Sequence, residues 1–382
     1  MQKLLVLTAS NPASNPRPRR MIECLRGSYE LYAMGIGSGE IEGVETFSFS
    51  SYTKRTKLEE FRLYFDVLLH KWERLIWTKN RLEIVPFLQE REFDFIICFD
   101  LPLLPIALKY KKNAKIIFDA QEYFPLWLTS NLRWKILFQR FNRFLCKTYL
   151  PQCNAVLSVS PSFVQRYANE FAISPYLYLS LPYHYDLPPK PCDPSNIKIL
   201  YHGSLSSNRG IDKLIALAEL LPAHFSLDLI LVSGEKKYRE KIFSLIHKAQ
   251  NKGVKISLLP PVPFSQIIPF GNSYDIGLYF MPPNTYNLLC TIPNKFFEYI
   301  GSSLCLAITP NTDLVPIVKE RGVGVVSEDF EITSMAKILQ SLSIEQINAC
   351  KLASYKAHQT LNNKQNQKLI LSLLSTLSSP SL

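Results

Sequence analysis

Four stretches of this 382-residue chain place residue types at spacings that could do chemistry. The first is NPASNPRPRRMIECL, where Arg17, Arg19 and Arg20 fall at the start of a helix after an apolar strand. Guanidinium groups beside free helix N–H groups hold a phosphate or a carboxylate; the plainer reading is a solvated basic turn. The second is IIFDAQEYFP, a strand ending in Asp119, Gln121 and Glu122 before Pro125 turns the chain. Polar side chains at the carboxyl end of a buried strand face a ligand crevice, or else Asp119 caps the next backbone turn. The third, YHGSLSSNRGIDKLI, runs from a strand through Gly203 and a Ser/Asn loop to Arg209, Gly210 and a helix. That arrangement suits a diphosphate, with donors from a helix N-terminus and one fixed cation. The fourth is IPNKFFEYIGSS, with Pro293 at the head of a helix and Glu298 one turn in. Its neighbours Phe296, Phe297, Tyr299 and Ile300 are apolar, so a solvated face fits Glu298 poorly, and a pair of ribose hydroxyls would match the carboxylate.

The elements that must position these residues are legible as short apolar runs alternating with helix-length amphipathic segments. Strands are expected at 3–10, 94–100, 114–120 and 154–160, with helices at 57–80, 131–150 and 161–171. Strands apolar nearly throughout are covered on both faces, which means a parallel sheet in strand–helix–strand units. The segment LPYHYDLPPKPCDPSN holds five prolines and reads as a linker. After it the alternation restarts, with strands at 197–204, 227–234, 254–259, 274–280, 304–309 and 322–327 and a helical stretch at 331–375. The expected organisation is a first domain at 1–185, a linker at 186–196, a second domain at 197–345 and a helical segment with a tail at 346–382.

Composition removes other classes. Hydrophobic residues make up 47% of the chain, enough for two cores and too many for a disordered chain. Eight cysteines are scattered without a C-x-x-C pair, as buried thiols of a reducing compartment are, and not as a disulfide frame or zinc site. The apolar run at Leu4–Leu7 is too short for a signal-peptide core, and nothing approaches the ~18 apolar residues of a membrane span. A cytoplasmic chain is expected. No G-x-G-x-x-G follows the first strand, the P-loop pattern is missing after Gly203, and the six histidines lack metal spacing.

In order, DLPLLPIALKY (100–110), IIFDAQEYFP, LSVSPSF (157–163), YHGSLSSNRGIDKLI and IPNKFFEYIGSSLCLAIT resemble the family-four glycosyltransferases of the GT-B fold. The resemblance runs from Leu4 to about Val326. It implies an α/β chain of two doubly wound, Rossmann-like domains facing a central cleft. The C-terminal domain would hold a nucleotide-sugar donor, and the N-terminal domain would present the acceptor beside Arg17, Arg19 and Arg20. Glu298 matches the second Glu of the family's Glu, seven residues, Glu element, which binds the donor ribose. Arg209 matches the basic residue on the donor diphosphate and Gly203 the glycine that begins its loop, while Thr291–Lys295, including Pro293, Asn294 and Lys295, would run along the diphosphate. Gln121 stands where many relatives have a His lining the reaction centre, and Asp119 and Glu122 complete the candidate catalytic set. Three positions depart from the pattern: Cys290 replaces the first Glu, Ser204 an Arg after the loop glycine, and Gln121 that His. The implied reaction is transfer to a cell-envelope glycan or lipid-linked acceptor, with retention. No D-x-D occurs, so neither a metal nor another cofactor is expected. A sugar-nucleotide epimerase or hydrolase, and a non-catalytic sugar-nucleotide-binding subunit, stay open as alternatives.

Charge adds a partner. The formal net charge is +11, and residues 1–185 carry 24 basic against 17 acidic side chains. In NLRWKILFQRFNRFLCKTYL, Arg133, Lys135, Arg140, Arg143 and Lys147 occur with no acid, while Trp134, Leu137, Phe138, Phe141 and Leu145 follow helical spacing. A basic helix of this kind lies on an anionic leaflet, or packs its aromatic stripe on the sheet and leaves the cations outward. Peripheral attachment to the inner membrane follows as an expectation. No nucleic-acid-binding motif is visible, and none is expected as a partner.

Overall fold

A computed structural model of the chain describes residues 1–379 apart from Ser38 and Ser233. It consists of two compact units, Met1–Leu179 with the chain from Asn366 onward, and Ser180–Gln365. In the first unit β1 (Lys3–Leu7), β2 (Glu30–Ile36), β3 (Glu45–Phe49), β4 (Phe95–Cys98), β5 (Lys115–Ala120), β6 (Ala155–Ser158) and β7 (Tyr176–Leu177) form one parallel sheet. Its order is β3-β2-β1-β4-β5-β6-β7, with Leu4 opposite both Leu31 and Phe95. In the second unit β8 (Ile197–Ser204), β9 (Phe225–Val232), β10 (Ile256–Leu259), β11 (Ile276–Tyr279), β12 (Cys305–Ile308) and β13 (Gly324–Val326) pair as β10-β9-β8-β11-β12-β13, again all parallel. Each order reverses once, between β1 and β4 and between β8 and β11. Open parallel sheets bind ligands at that reversal, outside the carboxyl ends of the strands.

Apolar strands covered on both faces explain why these sequences make sheets. Leu4–Leu7, Phe95–Cys98 and Cys305–Ile308 are wholly buried. In the first unit Leu4, Val6 and Ile97 share a core with Met21 and Ile22 of the helix Pro16–Leu25, and with Ile370 and Leu374 from the far end of the chain. The second core packs Ile199, Leu229 and Leu278 against Ile211, Leu214 and Ile347. Gly277 in β11 permits one close approach: a Cβ there would come within 2.5 Å of the Tyr299 ring, so only glycine lets the helix Asn294–Gly301 lie this close to the sheet.

The structure moves several boundaries. The first unit ends at Leu179, and the Pro-rich segment packs on the second: Ser303 donates to the Leu187 carbonyl (2.7 Å) and Asn348 accepts from the Cys192 amide (3.0 Å). The stretch 331–375 is three helices, Ile332–Gln340, Ile344–His358 and Asn363–Ser378, the middle one opened by a Ser343/Gln346 capping box. Only the last of them returns to the first sheet. The expected helix 57–80 is Lys57–Leu68, Trp72–Ile76 and Lys79–Leu82, interrupted at His70, whose φ is 52°. The expected helix 131–150 breaks at Phe138 into Leu132–Leu137 and Gln139–Tyr149. No described helix is long and apolar enough to cross a membrane.

Candidate functional site

The second unit gathers its site at the carboxyl ends of β8 and β11. Gly203 and Ser204 are the last residues of β8, so the loop begins at Leu205 and not at the glycine. It turns through Ser207–Arg209 to Gly210, whose φ of +66° starts the helix Ile211–Leu220. Arg209 points back across this turn, with Nη1 3.5 Å from the sulfur of buried Met281, just past β11. Opposite lies the helix Asn294–Gly301, with Pro293 as its N-cap and no side chain capping its first turn. Uncapped amides at a helix start favour an anion.

Lys295, the second residue of that helix, is buried. Its ammonium sits over the rings of Tyr201 (4.2 Å) and Tyr279 (5.2 Å), and among the described residues no carboxylate is within ion-pair distance. Burial, reinforced by Arg209, pushes its pKa well below the ordinary lysine value, with Glu298 pulling the other way. Two cations near one another, one of them buried, mark a place prepared for negative charge. Glu298 is buried one turn on, 3.7 Å from Nε2 of His202. Burial, then Lys295, lowers the His202 pKa to about 3, so the ring is neutral at physiological pH. Cys290 is a buried thiol at the end of the short helix Tyr286–Cys290, and Asn294 is half-buried at the head of the next.

In the first unit the candidate residues separate. Arg17 is buried and meets fully buried Asp119 with both arms of its fork: Nε to Oδ2 at 2.8 Å and Nη2 to Oδ1 at 2.7 Å. Nη2 also donates to the Tyr178 carbonyl at 2.9 Å. Burial raises the Asp119 pKa and the Arg17 guanidinium opposes it. This corrects two expectations, because Asp119 holds Arg17 and neither is turned towards a ligand. Arg19 bridges to Glu23 at 2.8 Å on its own helix, and Arg20 is buried. The three arginines therefore do not form one anion site.

Gln121 and Glu122 do line a cavity of about 540 Å³ at the reversal between β1 and β4. Its polar wall includes Asp100 and Arg81; its apolar wall includes Phe99, Trp127, Trp134 and Phe141. The Asp100 carboxylate accepts from the Ala9 amide (2.6 Å) and the Thr8 hydroxyl (3.0 Å), while burial raises its pKa. Burial lowers the Arg81 guanidinium to about 10. Of the expected surface cations, Arg133 pairs with Glu60 and Arg143 with Glu170, whereas Lys135, Arg140 and Lys147 are exposed without an ion pair among the described residues. The aromatic stripe Trp134, Phe141 and Leu145 is buried, so of the two readings of that segment the inward-packed one holds for the stripe.

No protein-family model matches the chain, and no curated protein matches it by sequence. Solved structures do match it in shape. HepE of Anabaena, in complex with UDP and glucose, is similar over 98% of this chain and 100% of its own, with a TM-score of 0.73 at 12% identity. The fold is GT-B. The UDP-forming α,α-trehalose-phosphate synthase of Burkholderia xenovorans gives a TM-score of 0.70 at 13% identity, covering 100% of both chains. Sucrose-phosphate synthase of Thermosynechococcus elongatus gives 0.70 at 12%, covering 99% of both. Within this GT-B chain, sequence reasoning missed Tyr201 and Tyr279 beneath Lys295, and took His202 only as one of six histidines without metal spacing. It also missed Arg81, which lies just past the helix expected at 57–80. Asp100 had a signal, as the polar end of an apolar strand.

Proposed function

We propose that this protein is a glycosyltransferase that moves a sugar from a nucleoside-diphosphate donor to a cell-envelope glycan or a lipid-linked intermediate. The observation that carries the reading is Lys295, a buried ammonium with no carboxylate in ion-pair range among the described residues, between Arg209 and the uncapped start of a helix. As the acceptor oxygen bonds to the anomeric carbon, the bond from that carbon to the diphosphate breaks and negative charge gathers on the leaving phosphate. Arg209, Lys295 and the helix amides meet that charge with groups of the chain itself, so the reading needs no metal. Glu298 takes the ribose hydroxyls. Gln121 and Glu122 line the acceptor cavity, and the anomeric configuration is retained, as the family resemblance implies. UDP-sugar enzymes among the structures of this shape support a uridine donor.

A thermal-shift series with UDP, GDP, ADP and CMP tests the reading. A nucleotide at about a hundredfold above its Kd stabilises by ~2.7 kcal/mol, a shift of several degrees. One nucleotide family should respond. Glu298→Ala should weaken that response by the ~1.5–3 kcal/mol of a charge-assisted hydrogen bond. No response to any nucleotide, or an unchanged response in both Glu298→Ala and Arg209→Ala, would place the site elsewhere.

A further inference from the structure

The helix Lys57–Leu68 of the first unit is apolar on two sides. Leu63 and Val67 face inward and are buried. Leu58 (77% exposed), Phe61 (62%), Phe65 and Leu68 (73%) repeat along the opposite side and lie open to solvent. The helix Leu132–Leu137 lies beside it, joined by the Arg133–Glu60 ion pair, and adds Leu132 (70%) and Ile136. Trp127 and Tyr52 are exposed as well. Single exposed apolar residues need no explanation, but a contiguous stripe over two helices marks a contact surface.

Its charges identify what the surface contacts. The acidic groups here are engaged within the fold: Glu59 caps Thr56, Glu60 holds Arg133, Asp66 holds Arg74 at 2.6 Å, and Glu73 accepts from the Trp77 indole. Lys54, Lys57, Lys71 and Lys135 are exposed and carry no ion pair among the described residues. An apolar stripe bordered by unpaired lysines is complementary to an anionic bilayer, with aromatic and aliphatic side chains entering the acyl boundary and ammonium groups among the headgroups. Tyr52, Trp127 and, from the helix Leu132–Leu137, Trp134 line the cavity that holds Gln121 and Glu122, so that helix adjoins the cavity.

We propose that the helices Lys57–Leu68 and Leu132–Leu137 seat the first unit on an anionic membrane leaflet, from which the adjoining cavity takes an amphiphilic acceptor. The clause on the acceptor rests on the function proposed above; the membrane contact does not. Flotation of the full chain with vesicles of phosphatidylcholine, with and without about one-third phosphatidylglycerol, tests it. Binding should require the anionic lipid and weaken with salt. Phe61→Ser with Leu68→Ser should reduce it at least ~10-fold, and each of Lys54→Glu and Lys57→Glu about 5-fold or more, given ~1 kcal/mol per cation near such a surface. Brominated acyl chains should quench fluorescence in a manner that Trp127→Phe reduces. Equal binding to neutral and anionic vesicles, or unchanged flotation of a folded Phe61→Ser/Leu68→Ser variant, overturns the proposal. So does a dimer, seen by light scattering, that this variant dissolves while vesicles go unbound, since the face would then cover a second copy. The UDP thermal shift is read on the same samples: flotation without it sinks the donor site alone, and a UDP shift without flotation sinks the membrane surface alone.

Discussion

Replacing Lys295 with Met should stabilise the free protein and abolish most of its affinity for nucleotide. The ammonium is buried over the rings of Tyr201 and Tyr279 at 4.2 and 5.2 Å. Desolvating a charge costs several kcal/mol even after relaxation, while two cation–π contacts return ~2 kcal/mol or somewhat more. Methionine fills a similar volume without charge, so the net gain is about 1–3 kcal/mol. For a unit of this size that raises Tm by about 2–12 °C, at ~2–4 °C per kcal/mol. The diphosphate loses a charge-assisted partner worth ~1.5–3 kcal/mol, so UDP binding weakens about 10- to 150-fold. Calorimetry adds a proton count. Burial depresses the lysine pKa in the free protein and an anion raises it again, so binding takes up a proton near or above the depressed value. The ligand favours the protonated form, whose share falls as pH rises, so affinity falls with rising pH by at most ~10-fold per pH unit. The buffer-dependent heat should vanish in Lys295→Met. A variant that melts lower than the parent and binds UDP as well would refute the reasoning, because the lysine would then be a structural group.

Two further outcomes follow from buried groups. Arg17→Met leaves Asp119 buried and unpaired, at a cost of ~3–5 kcal/mol, and Asp119→Leu strands Arg17 in the same way; thermal melts should show both drops, with much of the loss recovered in the double variant. Three unchanged melting points would show the pair contributes nothing. His202 has its pKa lowered from 6.5 to about 3 by burial, so between those values the unfolded chain binds a proton that the native ring refuses. Its contribution is therefore fully present above about pH 6.5 and is lost as pH falls towards about 3, and His202→Gln should flatten the acid side of a Tm-versus-pH profile. Parallel profiles for parent and variant would show that the ring titrates freely.

Much of the fold was legible because parallel strands covered on both faces have an unmistakable texture, as in Phe95–Cys98 and Cys305–Ile308. Of the strands that escaped, Glu45–Phe49 and Tyr176–Leu177 are the edges of the first sheet and Glu30–Ile36 lies next to one of them. Glu30–Ile36 runs into Gly-Ile-Gly, Glu45–Phe49 alternates Thr and Ser with Phe, and Tyr176–Leu177 is two residues long. Helix breaks at His70 and Phe138 were invisible because neither glycine nor proline marks them; His70 adopts a left-handed conformation that its residue type does not announce. The return of the last helix to the first sheet was also hidden. Its buried residues Ile370, Leu373 and Leu374 say that a partner exists, and only the tertiary structure says which one.

Arg17 and Lys295 show the same division more sharply. Both are cations at the head of a helix, and from sequence both invite an anion. Arg17 receives one from its own chain, because Asp119 ends β5 within reach of a bidentate fork. Among the described residues Lys295 has no carboxylate in ion-pair range, and Glu298 on the same helix only opposes the fall of its pKa. A buried pair is complete and speaks for the fold, whereas a buried cation left without a counterion is a standing cost that the free protein bears. Such a cost persists where a ligand relieves it. The asymmetry supports the donor site proposed in the second unit, and leaves the chemistry proposed for the first unit to Asp100, Gln121 and Glu122 in a cavity that Arg81 and several aromatic side chains also line.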